Sequence, residues 1–262
     1  MTSEQQLYEI FRQSAKQPGD WAPALHALFA PQAVINVVHP FNAMSRDAYL
    51  ETFLGGLNES FLGLSRRDDI VMSGCFEEHS WISVTGYYAG RFDAPWLGLK
   101  PTQELAYLRY GEFYRFDQSQ VVEAYVFLDL PELMMATHQW PIATGPGLSR
   151  GYTGLIQGPA SQDGLIWDRD TSRGDDSSQR VTEMLRALNT PDEAWRPFWH
   201  QDMMWYGPGA FGSFKGIEAF RSFQVPFESQ FEGWSGGAAG NGLTSHFARF
   251  GHGDYVCSGG WP

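Results

Sequence analysis

The chain has 262 residues, 43% of them hydrophobic and 15% aromatic, so it can build a packed core in one large domain or two ordinary ones, and a mainly disordered chain is excluded. Only 18% of residues carry charge, and 30 acidic against 18 basic side chains leave a net charge of −12. A surface of that sign repels phosphate backbones and anionic lipid, so neither nucleic acid nor a membrane is an expected partner, and the charge itself reads as solubility.

In chain order, Ser3 and Gln6 form a capping box ahead of Leu7, Ile10, Phe11 and Ser14, a spacing that lays a mostly apolar stripe along one helix face. This opening lacks the unbroken apolar region of a signal peptide, and nothing elsewhere reaches the roughly 20 apolar residues needed to cross a bilayer. The expectation is a soluble, cytoplasmic protein. A short helix follows around Trp21 to Phe29, and a third covers Ser45 to Leu57, with Leu50, Phe53, Leu54 and Leu57 on one face. Strands are expected over Ile70 to Phe76, Trp81 to Arg91, Glu104 to Phe116 and Val121 to Leu130. Helices followed by an antiparallel meander describe an α+β domain whose helices cover one face of a curved sheet. Cys75 and Cys257 are too few for a disulfide framework and too far apart for a metal-ligand pair.

The second half repeats the first. FAPQAVINVVHPFN resembles FWHQDMMWYGPGAF, and Pro40, Ala48 and Gly86 correspond to Pro208, Ala219 and Gly260 at offsets of 168, 171 and 174. Val181, Met184, Leu185 and Leu188 match the first helix, Asp192 to Trp199 the second, and a third begins near Lys215. The expected organisation is a complete domain over 1–140, a packed Gly-rich linker over 141–174 carrying Tyr152, Leu155, Ile156 and Trp167, and a second domain over 175–262. The repeat reaches Pro262 early, so about 48 further residues of strand are expected beyond it.

At WYGPGAFGSFKGIEAFRSF and GDYVCSGGWP in the second copy, and at PWLGLKPTQELAYLRYGEFYRF and VVEAYVFLDLPELM in the first, the sequence resembles SnoaL-like polyketide cyclases, or ester cyclases, of the nuclear transport factor 2-like superfamily. The resemblance implies two cone-shaped α+β barrels, the second incomplete, each with a pocket in its mouth. It also implies no cofactor, a hydrophobic small-molecule substrate and acid/base chemistry on a carbonyl compound. By family position, Glu112 is the acid of the GluPheTyrArg stretch and Asp129 the acid after the final apolar run, while Trp205, Tyr206, His246 and Trp261 line a pocket wall.

The residues support an independent account. Ring closure by aldol condensation removes a proton beside a carbonyl and stabilises an enolate, which calls for a carboxylate or imidazole facing an apolar, water-poor cavity. If Phe116 pairs with Val121 across a tight turn, Tyr114 faces Glu123, Glu112 faces Tyr125, Tyr110 faces Phe127, and Leu108 faces Asp129. One face then carries Tyr110, Glu112, Tyr114, Glu123, Tyr125, Phe127 and Asp129, as a pocket wall does. The other carries Gly111, Phe113, Val122, Ala124, Val126 and Leu128, a packing surface suited to the other copy or, in a homodimer, to a second chain.

Glu112 is the expected base, with an ion pair to Arg109 or Arg115 as its structural alternative; burial away from arginine marks the catalytic case. Asp129 is either a second acid or a cap at the strand-to-helix turn. His39 is a candidate to polarise a carbonyl, and Tyr110 and Tyr114 are candidate donors to an enolate. His246 and His252 lack a third ligand, so no metal is expected, and the run from Gly207 to Gly212 lacks the Lys-Ser of a phosphate loop and reads as a turn. The functional expectation is a cofactor-free cyclase or isomerase. The alternatives are a non-catalytic binding or dimerisation module, and a hydrolase or dehydratase on the same scaffold.

Overall fold

The computed structural model describes residues 3–14, 22–142, 172–188, 193–230 and 246–260. The chain divides into two units, Met1–Asp168 with Pro208–Ala210, and Arg169–Gly207 with Phe211–Pro262. The linker residues Tyr152, Leu155, Ile156 and Trp167, and Trp261, lie outside the described residues.

In the first unit α1 (Ser3–Ser14) buries Leu7 completely. Helix α2 (Ala22–Leu28) runs into β1 (Phe29–Val37), which turns through residues 38–41 into β2 (Asn42–Ser45). The Ser45 hydroxyl then accepts the Ala48 N–H at 3.3 Å and caps a continuous helical stretch: α3 (Arg46–Ala48), a π-helical segment (Tyr49–Leu54) and α4 (Gly55–Ser60). Leu50, Phe53, Leu54 and Leu57, the expected apolar stripe, are buried, joined by Tyr49.

Four long strands follow: β3 (Phe61–Phe76), β4 (His79–Phe92), β5 (Leu105–Asp117) and β6 (Gln120–Leu128), closed by α5 (Leu130–Ala136). Strand β3 begins nine residues before the expected Ile70, because Arg66, Arg67, Asp68 and Asp69 pair with one another and with the sheet interior instead of forming a solvated run. The six strands make one curved sheet in the order β2-β1-β6-β5-β4-β3, in which only β1 and β6 run parallel. The meander over β3 to β6 is antiparallel, as expected for an α+β domain.

The expected register between β5 and β6 is corrected. Phe116 does face Val121, but the next pair is Arg115 with Glu123, so Val122 is an extra residue in a bulge. Beyond it Tyr114 faces Ala124, Glu112 faces Val126, and Tyr110 faces Leu128. A slip of one residue moves every later side chain to the opposite face. Ala124, Val126 and Leu128 therefore join Tyr110, Glu112 and Tyr114 on the inner, helix-covered face, and Glu123, Tyr125 and Phe127 go to the outer one.

The second unit contains α6 (Gly174–Ala187), a 3-10 turn (Arg196–Phe198), the hairpin β7 (Met204–Tyr206) and β8 (Ser213–Lys215), α7 (Ile217–Glu228), and the hairpin β9 (His246–His252) and β10 (Tyr255–Gly260). Its order of helix, short helix, hairpin, helix, hairpin parallels the first unit as far as β4. Among the described residues the two hairpins form separate two-stranded sheets, not a second curved sheet. Trp195, Met203 and Phe220 centre its core, with Trp199, Trp205, Phe214, Ile217 and Phe223 packed around them.

Candidate functional site

Strict alternation along β5 puts its even-numbered residues, from Ala106 through Phe116, on the inner face. Glu112 lies in the middle of this row on an interior strand, directly between Val84 of β4 and Val126 of β6, both wholly buried. Its own exposure is 0%. Phe53 and Tyr49 of the helical stretch roof this region, with Phe53 edge-on to Tyr88 at 6.4 Å and Tyr49 stacked on Phe53 at 5.3 Å.

Inside this apolar enclosure is a charged network. Tyr88 donates its hydroxyl to Glu112 Oε1 at 2.8 Å, and Tyr114 donates to Oε2 at 2.6 Å. Arg66 NH2 lies 2.7 Å from the same Oε2, its NH1 donates to the Tyr88 hydroxyl oxygen at 2.9 Å, and its Nε pairs with Asp68 at 2.9 Å. The guanidinium also sits 4.3 Å from the centre of the Tyr110 ring. Tyr110 in turn donates to Asp68 Oδ1 at 2.7 Å and lies 3.0 Å from the Arg67 carbonyl. Gly86 makes this approach possible, since a Cβ there would stand 1.9 Å from the Arg67 carbonyl oxygen and 2.6 Å from the Tyr110 hydroxyl.

Burial, reinforced by the Glu112 charge, pushes the Tyr88 and Tyr114 phenols well above the ordinary tyrosine value, and burial does the same to Tyr110 against the opposing pull of Arg66. All three remain hydrogen-bond donors throughout the physiological range. For Arg66, burial alone would lower the value, but Asp68 and Glu112 more than offset it and fix the side chain as a cation. The arrangement thus offers a carboxylate, two protonated phenols directed at it, and a guanidinium, in a place without bulk water.

A second cluster lies on the outer side of the same strand. Arg109 NH2 is 2.6 Å from Asp129 Oδ2, and Arg109 Nε is 3.3 Å from Oε2 of Glu132. Asp129 caps α5 by accepting the Glu132 N–H at 3.0 Å. Glu132 is 0% exposed, and burial, opposed by Arg109 and reinforced by Asp129, pushes its carboxyl up to about 7.

The expected site residues are thus divided between several places. Glu112, Tyr110 and Tyr114 meet in the inner network. Asp129 is in the outer cluster as a cap and as the partner of Arg109. Glu112 pairs with arginine, as its structural alternative required, but the partner is Arg66 and not Arg109 or Arg115, whose odd positions face outward. Glu123 pairs with Arg115 at 2.7 Å and accepts the Tyr125 hydroxyl at 2.8 Å on the outer face, where Phe127 packs edge-on to Phe113 at 6.3 Å. These three do not share a wall with Glu112, because the bulge at Val122 turns them away. His39 is exposed in the turn after β1 and does not meet the buried Glu112.

In the second unit Trp205 stacks among Phe214, Phe220 and Phe223 at 5.2 to 5.6 Å, Tyr206 is half-buried beside it, and His246 Nδ1 lies 2.7 Å from the Ser258 hydroxyl. Burial and the nearby Arg249 hold His246 below the ordinary histidine value. An open cleft of about 570 Å³ in this unit is lined by Arg196, Trp199, Lys215, Ile217 and Glu218, among others, and by none of the expected residues. Among the described residues no group of three or more His, Cys, Asp or Glu is placed to hold a metal, and no helix is long and apolar enough to cross a membrane.

Sequence reasoning missed Arg66, Asp68, Tyr88 and Glu132. Within the ArgArgAspAsp run no simple alternation marks the first two: Arg66 is 2% exposed and the Arg67 side chain 54%, but Asp69 is buried as well, so the enclosed arginine is set by the neighbouring strand and not by a local period.

No protein-family model and no curated protein matches the chain. Solved structures do. A candidate SnoaL-like polyketide cyclase from Jannaschia sp. CCS1 is 21% identical, with 53% of this chain and 93% of that one covered and a TM-score of 0.44. A candidate hydroxylase from Streptomyces galilaeus is 16% identical over 54% of this chain and 84% of that one, also with a TM-score of 0.44. A nuclear transport factor 2-like protein from Burkholderia thailandensis E264 is 18% identical over 53% and 98%, with a TM-score of 0.42. The similarity covers about half of this chain.

Proposed function

We propose that the first unit is a cofactor-independent acid/base enzyme of the cyclase or isomerase type, acting on a hydrophobic carbonyl compound at the Glu112 network. The observation that carries this reading is a carboxylate walled by Val84 and Val126 and held by two phenols that stay protonated. Glu112 takes the proton beside the carbonyl, the C–H electrons pass into the enolate, and the Tyr88 and Tyr114 hydroxyls turn from the carboxylate to the enolate oxygen. Arg66 and Asp68 hold the geometry, with Tyr110 fixing Asp68. The Arg66 ion pair by itself matches the structural alternative; what supports catalysis is the pair of protonated phenols on the same carboxylate in an enclosed site. Asp129 orients the start of α5 and takes no part in proton transfer.

A second reading has its own observation. With Arg66 at 2.7 Å and both phenols bonded, each Glu112 oxygen already has a partner, which favours a non-catalytic small-molecule-binding module. The two are separated by incubating the protein with hydrophobic ketones in deuterated water and following α-deuterium by mass spectrometry. The enzyme reading expects exchange that falls by about 10² to 10⁴ in Glu112→Gln, beyond any loss of folded protein, while ketone binding persists. Binding by the native chain without exchange favours the module, and neither binding nor exchange sinks both.

The second unit we read as a further copy of the same architecture, supported by its matching order of elements as far as the β9–β10 hairpin. The check is crystallography of the second unit: superposition of β7, β8, α7, β9 and β10 on β1, β2, the helical stretch, β3 and β4 supports the reading, and a different strand arrangement overturns it.

A further inference from the structure

Glu132 is the buried carboxylate that the proposed chemistry leaves unused. It occupies the first turn of α5, fully buried, and neither carboxylate oxygen accepts a hydrogen bond among the described residues. The cation against it is Arg109 of β5, and that guanidinium is shared: its contact to Asp129 is 2.6 Å, against 3.3 Å to Glu132. The other titratable groups nearby are Asp129 at the end of β6 and Tyr87 on β4, with Asp69 of β3 acting on Tyr87 and itself paired with Arg67 at 2.8 Å. Two carboxylates facing one guanidinium leave one negative charge unmatched whenever both are ionised. The next residue, Leu133, is wholly buried in the core, so α5 cannot lift without exposing both side chains.

We propose that Glu132 is a proton-binding latch for α5: with a proton on its carboxyl the helix is packed by a neutral side chain, and without it an unmatched buried charge works the helix loose. The direction follows from linkage. The packed form holds its proton up to about pH 7, whereas an exposed glutamate releases it at the ordinary 4.5. The latch is therefore at full strength below the ordinary value, weakens as pH rises through the window between the two, and stays weak above it. None of the residues of the proposed chemistry is involved, so either proposal can fail while the other stands.

The test is amide hydrogen exchange of α5 at about pH 5 and about pH 8, corrected for the intrinsic rate, in the native chain and in Glu132→Gln. The Leu133 and Thr137 amides, bonded to Asp129 and Leu133 carbonyls, report opening. In the native chain the opening equilibrium should rise on the order of a hundredfold across this range, and in Glu132→Gln it should stay flat. Equal dependence in both, or none in the native chain, overturns the proposal. Should the variant not fold, the ¹³C carboxyl titration of Glu132 in the native chain decides alone: a midpoint near neutrality supports the latch, and one in the ordinary glutamate range removes it.

Discussion

Glu112 and Glu132 are both wholly buried, the first on the inner face of β5 and the second on α5 against Arg109 of the outer face, and their surroundings treat them in opposite ways. Glu112 receives two phenol hydroxyls and has Arg66 in direct contact. Glu132 receives no hydrogen bond among the described residues, and its arginine is more closely held by Asp129. Burial alone therefore does not set what a carboxylate does; the supply of donors does. The first glutamate is held in place by its charge, and the second is destabilised by it.

The largest expected break in that contrast is Arg66→Met, which leaves Glu112 and Asp68 as buried carboxylates without a cation and should cost about 3–5 kcal/mol in denaturant unfolding. Adding Glu112→Gln should recover part of the loss; a purely additive double variant would show that the two do not act as a pair.

Glu132→Gln should move stability in a pH-dependent way of the opposite sense. With a folded value of about 7 against an ordinary 4.5, ionised Glu132 costs the fold about 3 kcal/mol above neutrality and nothing below 4.5. Native stability minus variant stability should thus fall as pH rises between those limits, and a flat difference from unfolding curves across that window would remove the contrast.

Tyr114→Phe, which withdraws one charge-assisted hydrogen bond from Glu112, should cost about 1.5–3 kcal/mol. Gly86→Ala forces the Arg67 carbonyl and the Tyr110 hydroxyl apart and should cost about 1–3 kcal/mol, with loss of Tyr110 protection in an NMR spectrum. Smallest is Tyr125→Phe, whose hydroxyl meets Glu123 on the half-exposed outer face; about 0.5 kcal/mol is expected by thermal melting. A loss as large as that of Tyr114→Phe would mean that the two faces are equally demanding.

The sequence made the α+β order, the apolar stripe from Leu50 to Leu57 and the inner row of β5 readable, because each rests on a single local period. The register of β6 did not. ValValGluAlaTyrValPheLeu is apolar on both faces, so alternation fits either choice, and the bulge at Val122 is fixed by tertiary packing of Ala124, Val126 and Leu128 against the helices. The informative mark was Glu123, which the bulge sets opposite Arg115. Arg66 was hidden for a related reason: in a run of four charges nothing local says which side chain a neighbouring strand will enclose. Glu132 looked like an ordinary acid in a helix's first turn, a place where negative charge is commonplace.

The strand order β2-β1-β6-β5-β4-β3 has a temporal consequence. Each outer pair, β1 with β2 and β3 with β4, is a local hairpin that closes over a short loop, but the two are joined only through β5 and β6, the last strands of this sheet to be synthesised. Pairing β1 with β6 matches Val34 to Glu123 and Val37 to Val126, residues almost ninety positions apart, so this loop carries the highest closure entropy in the sheet. The two hairpins share no partner strand until β6 is available, whereas every side chain of the charged network is carried by β3, β4 and β5, so the network belongs to the antiparallel side of the sheet and closure onto β1 is a separate requirement.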